Sequence, residues 1–305
     1  MPSSLPCLAV AVVCFVLGVC AQRFGWHDGL RPYVLFVLGR TGGCSLSESR
    51  AYRQTRLCDA EKDLNTRCRL LKSVDGLELW DTPRGLYWVP ANFESFIEIL
   101  AEQAVDIYGS AECRVRKGDI VLDCGANVGV FTRTAVDAGA GRVIAIEPVP
   151  QKIECLNRNF ESEIAAGQVS ICPKGVWSEN ATLTMGLYKN PVLDSFIIQD
   201  RSIKTFGTAE LPVTTIDHLV AELRLPRVDF IKMDVEGANP QALEGARETL
   251  SRHKPRLAVS TEDVDEDFLS LPTLVRQIVP DYRCVPGRAR LRSRFQIAPD
   301  VLYFS

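Results

Sequence analysis

The alternation of short apolar runs with helical stretches is the feature that most constrains how this chain can fold. Five such runs occur, and several of them are separated by segments whose apolar residues recur at helical spacing. The runs are Ile120–Cys124, Val143–Glu147, Val169–Cys172, Phe230–Asp234 and Leu257–Ser260. Strands that alternate with helices form a parallel sheet with helices on both faces. We therefore predict an α/β fold with a doubly wound, mostly parallel sheet.

Further elements are expected on either side of that sheet. Tyr282–Val285 and Val301–Phe304 are short apolar runs close together in the chain, which predicts an antiparallel edge strand. Ahead of the sheet, LELWDTPRGLYWV (Leu77–Val89) predicts a β-hairpin, because the proline of Thr82–Gly85 presets a turn that the glycine closes. The hairpin is therefore expected to begin the compact part of the chain.

The N-terminal segment Leu5–Ala21 is apolar and uncharged, and it predicts a helix of about 26 Å. That length is slightly short of the ~30 Å hydrocarbon core of a membrane. A cleaved signal peptide fits the length and the small residues near Val19–Ala21. A retained anchor, with its C-terminal side in the cytoplasm, fits the lack of basic residues before the segment and the arginines after it. We favour the anchor, since a signal peptide should begin with basic residues, and keep a secreted protein as the alternative.

These patterns divide the chain into three parts. We expect a membrane anchor or signal segment over residues 1–22, a juxtamembrane linker over residues 23–75 and a catalytic domain over residues 76–305. The linker is polar and rich in arginine, with one short helix expected around Glu61–Leu71. It contains no catalytic motif, so the functional residues are expected in the third part.

Composition narrows the classes of partner. The 305-residue chain has a net charge of −3, whereas proteins that bind nucleic acid present a basic face to the phosphates. We therefore expect no nucleic-acid partner and a small molecule or glycan instead. The 11 cysteines include no C-x-x-C pair, and the 3 histidines give zinc no obvious set of ligands. No metal site is predicted, and the cysteines are expected to be free thiols.

The stretch VLDCGANVGVFT runs from a strand through a loop of small residues into a helix, and ligands bind at such strand ends. A dinucleotide site needs G-x-G-x-x-G beside a pyrophosphate. Here the pattern is Gly125, Asn127 and Gly129, with Asp123 just before it. That carboxylate would repel a pyrophosphate but would attract a ligand with an ammonium and a sulfonium. S-Adenosylmethionine is such a ligand.

Two further residues fit that ligand. Glu147 ends the next strand, near the offset at which an acid accepts hydrogen bonds from ribose hydroxyls. Asn127 takes the place of a middle glycine, and asparagine is one of the few residues that tolerate a left-handed backbone. Together with the glycines, they predict a nucleoside site that needs no phosphate.

Four stretches of the chain resemble the FkbM family of S-adenosylmethionine-dependent methyltransferases. They are VLDCGANVGVFT, IAIEPVP (Ile144–Pro150), TTIDHL (Thr214–Leu219) and DFIKMDVEGANPQALEGA (Asp229–Ala246). The resemblance covers roughly Leu77–Ser305 and implies a class I methyltransferase fold, which is Rossmann-like. It also implies O-methylation, commonly of a hydroxyl on a sugar or a natural product.

The same resemblance implies roles for individual residues. The methionine part of the cofactor would lie against the loop after the first strand, the ribose against Glu147, and the adenine against Val176 and Trp177. The implied cofactor-binding set is Asp123, Gly125, Ala126, Asn127, Gly129, Glu147, Val176, Trp177 and Asp234.

The catalytic candidates lie near the ends of two later strands. Asp234 ends the strand in DFIKMDVEGANP, at a position expected to face the cofactor methyl, and Glu236 follows on the same loop. Many relatives carry an aromatic residue or histidine after the strand Leu257–Ser260. This chain has Thr261-Glu262-Asp263 there instead, so Glu262 is the candidate replacement for the base.

We therefore expect a membrane-tethered, S-adenosylmethionine-dependent O-methyltransferase that acts on a hydroxyl of a sugar, glycolipid or natural product. One alternative is a nucleotide-sugar oxidoreductase or epimerase, which Asp123 and the missing glycine disfavour. Another is a non-catalytic protein that keeps the cofactor fold, for which the altered Thr261–Asp263 stretch argues. A further hypothesis gives four alternating arginines a role in holding an anionic acceptor or membrane surface. They are Arg288, Arg290, Arg292 and Arg294.

Overall fold

The computed structural model describes residues 31–42, 44–50, 55–110, 112–187, 207–261, 267–293 and 296–305. The predicted apolar helix Leu5–Ala21 lies outside these residues. Among the residues that are described, no helix is both long and apolar enough to cross a membrane. This finding corrects the prediction of a membrane-anchored protein with a cytoplasmic catalytic domain.

The helices and strands are numbered in chain order. The helices are α1 (Arg31–Val37), α2 (Leu46–Arg50), α3 (Thr55–Arg67), α4 (Phe96–Ala104), α5 (Val130–Asp137), α6 (Pro150–Asn159), α7 (Glu161–Ala165), α8 (Ile216–Glu222), α9 (Asn239–Glu244), α10 (Arg247–His253) and α11 (Asp267–Ile278). The strands are β1 (Arg69–Val74), β2 (Leu77–Thr82), β3 (Gly85–Pro90), β4 (Ile120–Cys124), β5 (Arg142–Ile146), β6 (Val169–Cys172), β7 (Gly175–Val176), β8 (Ala181–Leu187), β9 (Gly207–Thr214), β10 (Phe230–Met233), β11 (Arg256–Ser260), β12 (Cys284–Pro286), β13 (Ala289–Ser293), β14 (Gln296–Pro299) and β15 (Val301–Phe304).

The largest sheet among the described residues has seven strands in the order β12-β15-β11-β10-β4-β5-β6. Strands β4, β5, β6, β10 and β11 pair in parallel, as the alternating pattern predicted. Strand β15 runs antiparallel to both of its neighbours, β11 and β12. The predicted antiparallel pair is therefore present at this edge, but the strand that opposes the parallel set is the second from the edge.

The order of the strands fixes where a ligand can bind. The chain passes from β4 outward to β5 and β6, and later returns to the other side of β4 as β10. Loops that leave two adjacent strands in opposite directions open a crevice at the strands' carboxyl ends. The crevice between β4 and β10 is therefore the expected position of the site.

Both faces of the central sheet are covered by apolar residues. Leu122 and Ile144 belong to one buried cluster, which includes residues of the helices α8 to α11. Val121 and Val143, their neighbours in sequence, belong to a second cluster with residues of α5 and α6. Since side chains alternate along a strand, these assignments show that the sheet is buried on both sides. The doubly wound arrangement follows from this burial.

The predicted hairpin is present as β2 and β3, with Thr82 paired to Gly85 at the turn. The Thr82 hydroxyl donates to the Gly85 carbonyl oxygen at 2.8 Å. Strand β1 extends the hairpin to a three-stranded antiparallel sheet. The helix expected around Glu61–Leu71 is displaced, because it ends at Arg67 and the following residues pair with β2 instead. The open edge of the hairpin offers these residues backbone partners that a sequence pattern does not reveal.

The chain divides into two compact units. The first contains the described residues of Met1–Gln54 together with Arg288–Asp300, and the second contains Thr55–Gly287 and Val301–Ser305. In the first unit Leu35, Cys44, Ala289 and Ile297 form a small apolar core. The domain boundaries predicted after residues 22 and 75 stay a prediction. Helix α3 and strand β1, which belong to the predicted linker, lie within the second unit.

Of the four alternating arginines, Arg290 and Arg292 lie in β13 and Arg288 directly precedes it. Arg288 is exposed and Arg290 is half-buried, while Arg294 lies outside the described residues. Their proposed contact with an anionic acceptor stays a prediction.

Candidate functional site

A cavity lies at the carboxyl ends of β4, β5 and β10, where the strand order predicts a ligand site. It encloses about 850 Å³, part of which is open to solvent. Of the residues predicted from sequence, those that line it are Gly125, Ala126, Asn127, Glu147, Val176, Asp234 and Glu236. Three predicted residues, Asp123, Gly129 and Trp177, are not among the lining residues. The base candidate Glu262 lies outside the described residues.

The loop after β4 brings the backbone of one strand against that of another. Gly125 has a φ of +78°, and a Cβ atom on it would lie 1.9 Å from the carbonyl oxygen of Asp234. Because that atom belongs to the backbone, only glycine fits. The amides of Gly125 and Ala126 both donate to the Ile146 carbonyl oxygen at 3.0 Å. The loop is therefore held between the ends of β5 and β10.

Asn127 has the left-handed backbone that the sequence predicted, with a φ of +53°. Its side-chain oxygen Oδ1 is buried and has no hydrogen-bond partner among the described residues. A buried acceptor without a donor costs free energy, and such atoms in a cavity are suited to a ligand's N–H or O–H group.

Gly129 serves packing rather than the cavity. It has a φ of +91° and precedes α5. A Cβ atom on it would lie 2.2 Å from Cε2 of Phe160 and 2.9 Å from Cδ2 of Leu156. The glycine therefore allows α5 to pack closely against the helices that follow β5, which explains why it does not line the cavity.

Glu147 is 4% exposed and organises two loops at once. Its Oε2 atom accepts a hydrogen bond from the amide of Asn127, and its Oε1 atom accepts one from the amide of Val149, each at 3.0 Å. A carboxylate that accepts from backbone amides is held in one orientation. Glu147 thus links the loop after β4 to the loop after β5 while it lines the cavity.

Asp123 is fully buried beneath the cavity rather than in its wall. Its Oδ2 atom accepts a hydrogen bond from the Thr132 hydroxyl at 2.6 Å, and its Oδ1 atom lies 3.5 Å from Nζ of Lys232. Burial raises the pKa of the Asp123 carboxyl, although the nearby Lys232 ammonium lowers it. The sequence predicted that Asp123 contacts a ligand's ammonium directly, whereas in the structure its carboxylate contacts Lys232. The register places Lys232 opposite Asp123, and that lysine supplies the positive charge.

Lys232 joins the loop after β4 to the end of β10, and the sequence reasoning missed it. Its Nζ atom donates to the Gly125 carbonyl oxygen at 2.8 Å and lies 3.7 Å from Oδ2 of Asp234. Burial lowers the pKa of Lys232, but the carboxylates of Asp123 and Asp234 outweigh this effect and hold it above its ordinary value. The sequence feature that could have indicated Lys232 is a lysine inside the otherwise apolar strand FIKM, since a lysine is buried only when it is paired.

Tyr108 completes the charged side of the cavity. Its hydroxyl donates to Oδ2 of Asp234 at 2.8 Å, and its ring centroid lies 5.3 Å from Nζ of Lys232. The ring also packs edge-on against Phe131 at a centroid distance of 5.6 Å. No local pattern indicated Tyr108, because the residue that it contacts lies 126 positions later in the chain.

The resemblance predicted that both Val176 and Trp177 contact the adenine, but only Val176 lines the apolar end of the cavity. Val176 is buried and lines the cavity, together with Ile146 and Met185. Trp177 follows it but is turned away, with its amide donating to the Thr214 carbonyl oxygen at 2.9 Å. Successive side chains of an extended segment point to opposite sides, so only one of the pair can face the cavity.

The residues that form this site lie mostly within a match to a known protein family. The model of the methyltransferase FkbM domain matches residues 123–283, which is more than half of the chain. The chain belongs to the FkbM methyltransferase family. The resemblance found in the sequence is thereby confirmed, and with it the class of enzyme, a methyltransferase. Tyr108 and helix α4 precede the matched residues.

Two curated relatives support the same assignment. The 31-O-demethyl-FK506 methyltransferase FkbM of Streptomyces tacrolimicus is 24% identical over 188 residues, which cover 53% of this chain and 72% of the relative. Methyltransferase sdnD of Sordaria araneosa is 25% identical over 205 residues, covering 56% and 76%. A solved structure of methyltransferase FkbM from Methylobacillus flagellatus is 20% identical with a TM-score of 0.46. It covers 85% of this chain, which spans 62% of that structure.

Proposed function

We propose that this cavity binds S-adenosylmethionine and that the protein methylates a hydroxyl group of a small molecule. The observation that carries the proposal is that three elements of the predicted site line one cavity, in a chain that belongs to a methyltransferase family. The loop Gly125–Asn127, the carboxylate of Glu147 and the charged end of β10 all meet there.

The residues present fit the cofactor in chemical type. Its ribose hydroxyls and its ammonium are hydrogen-bond donors, and the buried Oδ1 of Asn127 is an acceptor that lacks one. Gly125, without a Cβ atom, lets the loop that lines the cavity lie directly against the end of β10. Val176, Ile146 and Met185 give one end of the cavity an apolar surface suited to a purine ring.

Within this proposal each part of the cavity has one task. We assign the ribose to Glu147, the methionine part to Gly125–Asn127 and the adenine to the surface around Val176. Asp123 acts indirectly, since its carboxylate holds Lys232 and Lys232 in turn holds the Gly125 carbonyl oxygen. Trp177 and Gly129 support the site through packing and do not contact the ligand.

The bound cofactor supplies an electrophilic methyl group, and the protein must align the acceptor and take its proton. Asp234 lines the cavity and is about one-third exposed, with its Oδ2 atom occupied by the Tyr108 hydroxyl. Its Oδ1 atom accepts no hydrogen bond from the described residues, which leaves it for the acceptor. We propose that Asp234 orients the hydroxyl and accepts its proton, with Glu236 and Glu262 as alternatives.

For the acceptor we propose a hydroxyl of a sugar, glycolipid or natural product. The relative from Streptomyces tacrolimicus is named as a methyltransferase of 31-O-demethyl-FK506, a name that indicates methylation of an oxygen. That name supports an alcohol as the class of acceptor, and it does not carry over the particular compound.

Isothermal titration of the full chain tests the proposal. S-Adenosylmethionine should bind with a dissociation constant in the micromolar to sub-millimolar range typical of enzyme substrates, and NAD should not compete with it. Glu147→Gln should weaken the binding, whereas Glu161→Gln, at an exposed position on α7, should not. Tight binding of NAD with no response to S-adenosylmethionine would refute the proposal in favour of an oxidoreductase.

A further inference from the structure

The charged end of the cavity contains more negative than positive side chains. Lys232 lies between two carboxylates, 3.5 Å from Oδ1 of Asp123 and 3.7 Å from Oδ2 of Asp234. We call these three residues the Lys232 cluster. One ammonium neutralises one carboxylate, so the cluster keeps an excess of one carboxylate.

The position of the cluster directs that excess towards the cavity. Asp123 is fully buried and Lys232 is 4% exposed, whereas the side chain of Asp234 is 32% exposed and lines the cavity. The inner pair is thus sealed from solvent, and the outer carboxylate is the one that a ligand can reach. Charges in such a setting are screened less than charges in water, so they act strongly on a ligand.

The other charged residues that the structure describes in the cavity lining do not reverse this sign. The acidic lining residues that the structure describes are Glu102, Glu147, Asp234 and Glu236, and the basic ones are Lys152 and Lys232. Neither arginine nor histidine occurs among those described lining residues. These described lining residues therefore include more acidic than basic side chains, although the protein carries a net charge of only −3.

We propose that the Lys232 cluster selects ligands by charge, holding the sulfonium form of the cofactor more tightly than the neutral thioether that remains after methyl transfer. The inference rests on the proposed function and adds to it a basis for product release. The two ligands have the same adenosine and amino-acid parts. They differ by a methyl group and by one positive charge, and the excess carboxylate of the Lys232 cluster favours the charged ligand. The loss of that charge weakens the hold on the product.

Binding measurements with three ligands test this selection without any acceptor. Titration of the wild-type chain with S-adenosylmethionine, S-adenosylhomocysteine and sinefungin, in which an amine stands in place of the sulfonium, gives three dissociation constants. We expect the two cationic ligands to bind about 10-fold more tightly than the thioether, since one nearby charge in a buried site has at least that effect. A thioether that binds as tightly as the sulfonium overturns the inference.

A variant separates charge from shape. Asp234→Asn keeps the size of the side chain and an oxygen that can accept from Tyr108, but removes the excess carboxylate. The preference for cationic ligands should fall from about 10-fold to 3-fold or less. Asp281→Asn is the matched control, because Asp281 pairs with Lys254 before β11, at the other end of the sheet, and is 67% exposed. An unchanged preference in Asp234→Asn overturns the inference.

The outcomes also separate this inference from the proposed function. Equal binding of all three ligands overturns charge selection and leaves the cofactor proposal intact. Binding of none of them overturns both. If Asp234→Asn does not fold, as judged by circular dichroism, the three wild-type constants decide alone.

Discussion

The two walls of the cavity recognise a ligand by different means. The wall formed by the loops after β4 and β5 presents backbone groups, and its one buried acid, Glu147, is held by the amides of Asn127 and Val149. The wall at the end of β10 presents charged side chains held by one another, with Lys232 between two carboxylates. The first wall depends on shape and the second on charge. A substitution should therefore affect fit in one wall and electrostatics in the other.

The largest effect is expected at the charged wall. If Asp234 takes the proton of the acceptor, Asp234→Asn should lower the single-turnover rate by about 10²–10⁴-fold, the usual contribution of a general base. The rate would be measured by rapid quench with saturating cofactor and any hydroxyl compound that supports turnover. A wild-type rate in this variant would mean that another residue or solvent takes the proton. The charged wall would then have no part in the chemical step.

The next effect concerns the stability of the charged wall. Lys232→Met should destabilise the fold by about 3–5 kcal/mol at neutral pH, because it leaves the Asp123 carboxylate buried without a cation. Denaturant unfolding measures this change. The double variant Asp123→Asn/Lys232→Met should recover much of the loss, because it removes both charges. If the single variant lost less than about 1 kcal/mol, the pair would not be the buried ion pair that its geometry indicates.

The same variant should show a pH dependence of defined sign. Burial raises the pKa of Asp123, and the cation that opposes this rise is missing in Lys232→Met. A carboxyl with a raised folded-state pKa binds its proton more tightly when folded, so the folded state gains stability as the pH falls through that pKa. The destabilisation should therefore shrink on acidification towards pH ~4, where unfolded aspartate titrates. A penalty that grew as the pH was lowered would contradict the assignment.

How far the sequence predicts these walls depends on the range of the contacts. The glycine loop and Glu147 were predictable, because they lie within one strand-loop-helix segment whose spacing is visible in the chain. Tyr108 and the pairing of Lys232 with Asp123 were not, since each joins residues more than 100 positions apart. Asp123 was predicted as a ligand contact for the same reason. A strand-end acid that faces a ligand and one that is buried under a lysine have the same local sequence.

The shape-dependent wall should respond to a single methyl group. Gly125→Ala would place a Cβ atom 1.9 Å from the Asp234 carbonyl oxygen, so the loop and β10 must separate. We expect a loss of about 3 kcal/mol in the free energy of unfolding, together with weaker cofactor binding. Gly167→Ala is the control, because Gly167 has a similar φ of +73° and nothing near its Cβ position. It should lose only the ~1–2 kcal/mol of a left-handed alanine. Equal losses in both variants would show that backbone strain, not close approach, requires glycine at position 125.

The smallest effect is expected at Glu147, whose carboxylate accepts hydrogen bonds from the loops after β4 and β5. Glu147→Gln keeps one oxygen acceptor but replaces the other with a donor, which faces an amide that also donates. Cofactor affinity should fall about 10-fold, equivalent to ~1.4 kcal/mol, as titration calorimetry would show. The preference between the sulfonium and thioether ligands should stay, because in this account charge selection belongs to the other wall. A change in that preference would show that the two walls are not separate in function.

The central claim is that the backbone wall and the charged wall form one cofactor site. Hydrogen–deuterium exchange followed by mass spectrometry tests it directly, with and without saturating S-adenosylmethionine. The account predicts that the cofactor slows exchange together in the loop Gly125–Asn127, in residues 147–149 and in residues 234–236, since all three line the same cavity. Protection confined to one of these segments, or found elsewhere in the chain, would contradict it.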